Sequence, residues 1–205
     1  VSGHPGKTSR ELTVAQLETQ RAELPFWLLR ASELRGRYAQ FGKTGEENQR
    51  IIADPLNGLE NSLKVRRKEL DALNDPALLA AKRATEAQLR ATLKPGDADP
   101  WAAIEKAMVR EQEISVPYTF IESAAGFNSQ LYRYARTLVR AADERAKPNE
   151  QRLREYVDTS LPLLEQQLVA PAPVYAARDK LTMSFGLERM REYLDAIHAG
   201  KTAEE

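Results

Sequence analysis

The sequence predicts an all-α protein, an irregular bundle of about six to eight helices, and three observations carry that expectation. Apolar residues recur every three or four positions over long stretches, strand-type alternation is almost absent, and prolines and capping residues punctuate the chain at helical intervals. No internal repeat of fixed period suggests a solenoid.

The elements follow in order. Residues 2–10 are short, polar and turn-forming, with Pro5 and Gly6 adjacent, and read as a strand end and a turn. Thr13 stands three before Gln16, a capping box, and Val14, Leu17 and Leu24 follow at near-helical spacing. Pro25 is expected to kink this helix, which continues through Trp27, Leu34, Tyr38 and Phe41 to a stop at Gly42. Thr44 with Glu47 reads as a second capping box, opening a helix over 46–73 that Pro55 should bend or restart. Asp75 before Pro76 and Asp99 before Pro100 each place a capping carboxylate ahead of a proline suited to a first turn. Over 117–146 the spacing of Phe120, Ala124, Phe127, Leu131, Tyr134, Leu138 and Ala142 predicts one continuous helix. Pro148, Pro162, Pro171 and Pro173 divide the remainder into a short helix around 163–168 and a final one over 174–197. The organisation expected is a connector over 1–12, one helical domain over 13–198 and an exit linker over 199–205.

Composition excludes several functions. Thirty basic and thirty acidic residues in 205 cancel, so no global field recruits nucleic acid or an acidic membrane surface. Cysteine is absent, which removes disulfides, thiolate metal sites and cysteine nucleophiles. No run approaches the ~18 apolar residues of a membrane-spanning helix. The start at Val1, directly before a Gly-His-Pro-Gly turn, suggests a piece of a longer protein.

Few motifs could carry chemistry. Gly3-His4-Pro5-Gly6-Lys7-Thr8 ends like a phosphate-binding loop, but Val1 occupies the place of its first glycine, and no later apolar strand ends in a magnesium-binding aspartate. His4 and His198 are the only histidines and have no serine and aspartate at a recognised spacing, nor is there a Gly-x-Ser-x-Gly elbow. Neither a metal nor another cofactor is expected. Glu60 and Lys64 are spaced for an i,i+4 ion pair on a solvated helix face. Asn61 between them is a mediocre helix former whose amide both donates and accepts, as reading a peptide backbone requires. Trp27, Tyr118, Phe120, Phe127, Tyr132 and Tyr134 read as core packing. Arg133, Arg136, Arg140, Arg145 and Lys147 alternate with Asp143 and Glu144 and read as ion-pairing residues.

Three stretches in this order resemble the bacterial dipeptidyl-peptidases seven and eleven, serine exopeptidases whose chymotrypsin-like double barrel carries a large helical insertion. The first is Gly3-His4-Pro5-Gly6-Lys7-Thr8-Ser9-Arg10, similar to a Gly-Tyr-Pro-Gly-Arg-Thr-x-Arg that ends a barrel strand, with His4 and Lys7 departing from the pattern. The second is Glu60-Asn61-Ser62-Leu63-Lys64. The third runs from Ala135-Arg136-Thr137-Leu138-Val139-Arg140 through Ala146-Lys147-Pro148-Asn149 to Leu163, Glu165-Gln166-Gln167-Leu168 and Pro171-Ala172-Pro173. The resemblance implies a periplasmic aminopeptidase that releases dipeptides, with triad histidine and aspartate upstream of Val1 and the serine downstream of Glu205. It implies that this chain is an inserted domain capping the cleft of a catalytic barrel in the same polypeptide. Asn61 would then contact the amino-terminal part of the bound peptide, and the assembly would be a homodimer. A freestanding helical protein–protein interaction module is the alternative, suggested by the lack of a catalytic constellation and by the many charged helix positions.

Overall fold

The computed structural model describes residues 12–169 and 173–204, with side chains described as far as Ala196. The expected strand end and turn, the Gly3 to Arg10 motif, both histidine side chains and Pro171-Ala172 lie outside the described residues. Seven α-helices and no strand are formed among those described: α1 (Val14–Gly42), α2 (Glu46–Leu73), α3 (Pro76–Arg90), α4 (Pro100–Pro117), α5 (Gln130–Arg145), α6 (Leu161–Val169) and α7 (Ala176–Glu204). The all-α expectation therefore holds. The chain divides into two compact units, Val1–Val116 and Pro117–Glu205.

In the first unit α1 packs along α2. The buried apolar residues of α1 are Leu17, Leu24, Ala31 and Tyr38, each seven positions after the last. That period holds one stripe against a neighbouring helix over the whole length. On α2 the buried residues are Ile51, Ile52, Leu63 and Leu73. Leu17, Leu24, Leu73 and Leu79 form one core joining α1, α2 and α3, with Leu12 and Leu70 against it. The two helices are joined by the short turn at Lys43–Gly45, and Gly42 lies where a Cβ would meet Ile52 Cγ2 at 3.3 Å.

Helix α1 starts as expected: Gln16 N donates to Thr13 Oγ1 at 3.3 Å and Thr13 N donates to Gln16 Oε1 at 2.9 Å. Glu86 of α3 adds a second cap, accepting from Val14 N at 2.9 Å. Asp75 and Asp99 cap α3 and α4 through Ala77 N and Trp101 N, both at 2.9 Å. Two expectations fail. Helix α2 does not restart at Pro55, and α1 likewise runs on through Pro25; Pro25 is exposed, and the length of packed surface on either side outweighs the one hydrogen bond each proline removes. The second capping box does not form. Gly45 is the cap residue of α2, Thr44 Oγ1 donates instead to Phe41 O at 2.6 Å, and Glu47 is taken by Arg50 at 2.6 Å.

The second unit corrects the continuous helix expected over 117–146. A π-helical turn, Tyr118–Glu122, leads to Ala124 in the left-handed conformation (φ 58°, ψ 25°), then a 3₁₀ turn, Ala125–Phe127, and α5 begins only at Gln130. The reason is a close crossing. A Cβ on Gly186 of α7 would stand 2.5 Å from Ala125 O and 2.9 Å from Gly126 O, and one on Gly126 would stand 2.5 Å from Met190 Sδ. Backbone meets backbone there, which a helix carrying side chains on that face does not permit. Phe120, 1 % exposed, packs its ring 5.7 Å from that of Tyr193, and Phe127 stacks on Tyr132 at 4.6 Å.

Asp179 of α7 organises the restart of α5. Its carboxylate accepts from Ser129 Oγ and from Gln130 N at 2.8 Å, while Ser129 Oγ accepts from Tyr132 N at 3.1 Å. Desolvation alone would raise the Asp179 pKa, but the hydrogen bonds from Ser129, Gln130 and Leu131 outweigh it and hold the carboxyl below its ordinary value. Buried Glu144 is also lowered, first by Lys147 Nζ at 2.6 Å and then by Leu153 N at 2.8 Å. Of the residues read as ion-pairing, Arg136 and Arg140 both donate to Glu122, at 2.9 and 2.6 Å, and Arg145 donates to Glu165 at 2.9 Å, partners outside α5, while Arg133 and Asp143 form no ion pair among the described residues. Helix α7 runs to Glu204, through residues expected to belong to the exit linker.

Two outcomes follow from this packing. Gly186→Ala should destabilise the second unit by about 1–3 kcal/mol, read as a lower urea midpoint, because no flexible side chain can yield to the added methyl. Asp179 and Glu144 bind their protons more weakly folded than unfolded, so the stability they contribute is present above the ordinary carboxyl range and disappears as pH falls through the lowered values. Asp179→Ala should therefore cost about 1 kcal/mol near neutral pH and flatten the acid-side decline of the urea midpoint.

Candidate functional site

Asn61 is exposed on α2, on the face opposite to buried Leu63. A cleft of about 810 Å³ opens there between α1, α2 and α3. Helix periodicity explains its α2 wall: Asn61, Val65 and Glu69 are four apart, as are Ser62 and Arg66, so these side chains form two adjacent rows. Leu17 and Gln20 contribute the α1 wall, and Leu78 and Lys82 the α3 wall. The floor belongs to the leucine core, because Leu17 and Leu73 both line the cleft and belong to that cluster.

The polar groups in this cleft fall into two sets. Arg66 Nη1 donates to Glu69 Oε2 at 2.7 Å, with its guanidinium 6.0 Å from the centre of the Trp27 ring, so that pair is neutralised and held against α1. Ser62 Oγ donates to Gly58 O at 2.9 Å, and Lys82 also has an interaction within the chain. Asn61 and Gln20 form the other set. Neither side-chain amide has a hydrogen-bond partner among the described residues. Two primary amides, each able to donate and accept, thus line one mostly apolar cleft.

The neighbours of Asn61 in sequence behave differently from expectation. No ion pair joins Glu60 to Lys64 among the described residues. Trp27 is the aromatic that bears on the cleft, as the platform for Arg66; Phe120, Phe127 and Tyr132 are packed in the second unit. Glu23 of α1 is held above its ordinary pKa, first by desolvation and then by the charge of Glu111, but it does not line the cleft. Gln20, Val65 and Leu78 were not singled out from sequence, where a glutamine or an exposed aliphatic on a helix carries no mark of the neighbour that will face it.

Among the described residues there is no histidine side chain, hence no serine triad, and no group of three metal-binding side chains. No described helix is long and apolar enough to cross a membrane. The groups around this cleft supply hydrogen bonds and apolar surface, the means of recognising a bound molecule. The model of a protein family described as Peptidase S46 matches residues 1–203. The chain belongs to that peptidase family. Comparison with curated proteins and with solved structures gives no match. The peptidase reading of the sequence thus stands, and within the family this stretch forms helices, with no barrel strand among its described residues.

An exposed amide with no partner contributes little to folding. Asn61→Ala should leave the urea midpoint of the chain unchanged to within about 0.5 kcal/mol, so that any effect of this substitution on activity is a matter of binding.

Proposed function

We propose that this chain is the substrate-capping helical part of a serine dipeptidyl aminopeptidase, and that Asn61 holds the main chain of the peptide near its amino terminus. The observation that carries the reading is the unpartnered Asn61 amide on the wall of an 810 Å³ cleft, in a chain of a peptidase family. A free amide in a mostly apolar cleft suits a peptide bond, which presents one donor and one acceptor and whose flanking side chains need apolar surface. The core-packed α1 and α2 make the wall rigid, and a rigid contact orients a substrate at little entropic cost.

In this reading the acyl-transfer chemistry belongs to a catalytic barrel of the same polypeptide, where a histidine accepts the serine proton and backbone amides hold the oxyanion. The cap contributes exclusion of water, orientation, and a limit on how much peptide fits ahead of the scissile bond. A periplasmic location and a homodimeric assembly belong to the same proposal.

The test is steady-state hydrolysis of dipeptidyl amides, free and N-acetylated, by the intact peptidase that contains this chain. Hydrolysis only of the free amides, with KM raised about 3- to 10-fold by Asn61→Ala, is the expected result, since one hydrogen bond is worth about 1 kcal/mol. Unchanged kcat and KM in Asn61→Ala would remove the proposed contact, and absence of dipeptide release would point to the interaction-module alternative.

A further inference from the structure

Gln20 stands in the same condition as Asn61 but on another helix. It is half-buried on α1, lines the same cleft, and has no hydrogen-bond partner among the described residues. Its amide is not among the side-chain atoms sealed from solvent, so it is open to water or a ligand, whereas the polar groups near it on α1 are met within the chain. Along the same helix, half-buried Glu33 and Arg37 satisfy one another at 2.7 Å, Gln16 is consumed by the capping box, and buried Thr19 accepts from Gln112 Nε2 at 3.2 Å. A half-buried amide that forgoes its hydrogen bonds costs free energy unless water or a ligand supplies them.

From these facts we propose that Gln20 is a second substrate-positioning residue, acting with Asn61 as a pair of amides that grip a peptide main chain from two helices. The inference rests on the reading of Asn61 given above. The chemistry of the cleft favours a main chain over a charged ligand. The cleft's full charges are engaged within the chain, Arg66 with Glu69 and Lys82 with a partner of its own, so the open hydrogen-bonding capacity is that of neutral amides. Each can accept from an N–H and donate to a carbonyl, the alternation an extended peptide presents. Between them Leu17, Val65 and Leu78 supply apolar surface for a side chain; Val65 is 64 % exposed and Leu78 40 % exposed, so that surface is open in this chain. The occupant assigned is therefore the peptide substrate, with a small or apolar residue over Val65 and Leu78.

The test uses the intact peptidase and compares Gln20→Ala, Gln20→Asn and Asn61→Ala with Gln88→Ala, an exposed glutamine of α3 outside the cleft lining. The expected result is a KM about 3- to 10-fold higher for Gln20→Ala with kcat and melting temperature unchanged, part of it restored by the shorter amide of Gln20→Asn, and no change in Gln88→Ala. An effect of Asn61→Ala without any effect of Gln20→Ala would overturn the paired grip while leaving the capping function intact. No effect of either would overturn both. A lower melting temperature in Gln20→Ala with unaltered KM would show that another part of the protein occupies the cleft, and would also overturn the assignment.

Discussion

The rest of the first unit depends on the stripe that α1 buries against its neighbours. Leu17, Leu24, Ala31 and Tyr38 recur at seven residues, and burial of a large aliphatic or aromatic side chain is worth about 1.5–3 kcal/mol. That gain is spread along the helix, which is why a single proline at position 25 does not end it. The stripe also fixes which residues of α1 cannot be buried in the same seam. Gln20 sits three positions after Leu17 and is turned to the cleft, where α2 presents Asn61 and α3 presents Leu78. The cleft is thus a consequence of three helices sharing one leucine core, and its walls are as rigid as that core.

A different constraint governs the second unit. Two glycines, Gly126 and Gly186, allow a 3₁₀ turn to lie directly on α7, and Asp179 then closes the start of α5. The contact is main chain against helix, so its specificity lies in the absence of side chains and in one partly buried hydrogen-bond network. Three arginines of α5 serve the same end, Arg136 and Arg140 pairing with Glu122 and Arg145 with Glu165.

Local signals were the part of this structure most legible in the sequence. The Thr13 capping box and the Asp75 and Asp99 caps are short-range devices, and each forms where its spacing indicates. Thr44 and Glu47 have the same spacing and do not cap, because Phe41 O and Arg50 compete for their side chains within one turn. Over 117–146 the apolar period is genuine, but periodicity cannot report that residue 186 will press on residue 126 from sixty positions away. The same blindness applies to the cleft. Asn61 could be noticed because its type is unfavourable in a helix and because of the stretch around it; Gln20 is a good helix former and is marked only by the partner it lacks in the fold.

The capping function depends on what occupies the cleft between α1, α2 and α3 when the peptidase holds its product. The structure of the intact enzyme with a bound dipeptide measures this directly. The expected result is dipeptide main-chain atoms within about 2.7–3.2 Å of the Asn61 amide, with the cleft otherwise open to the peptide. A dipeptide bound with no contact to this cleft, or a cleft filled by another segment of the enzyme, would contradict it.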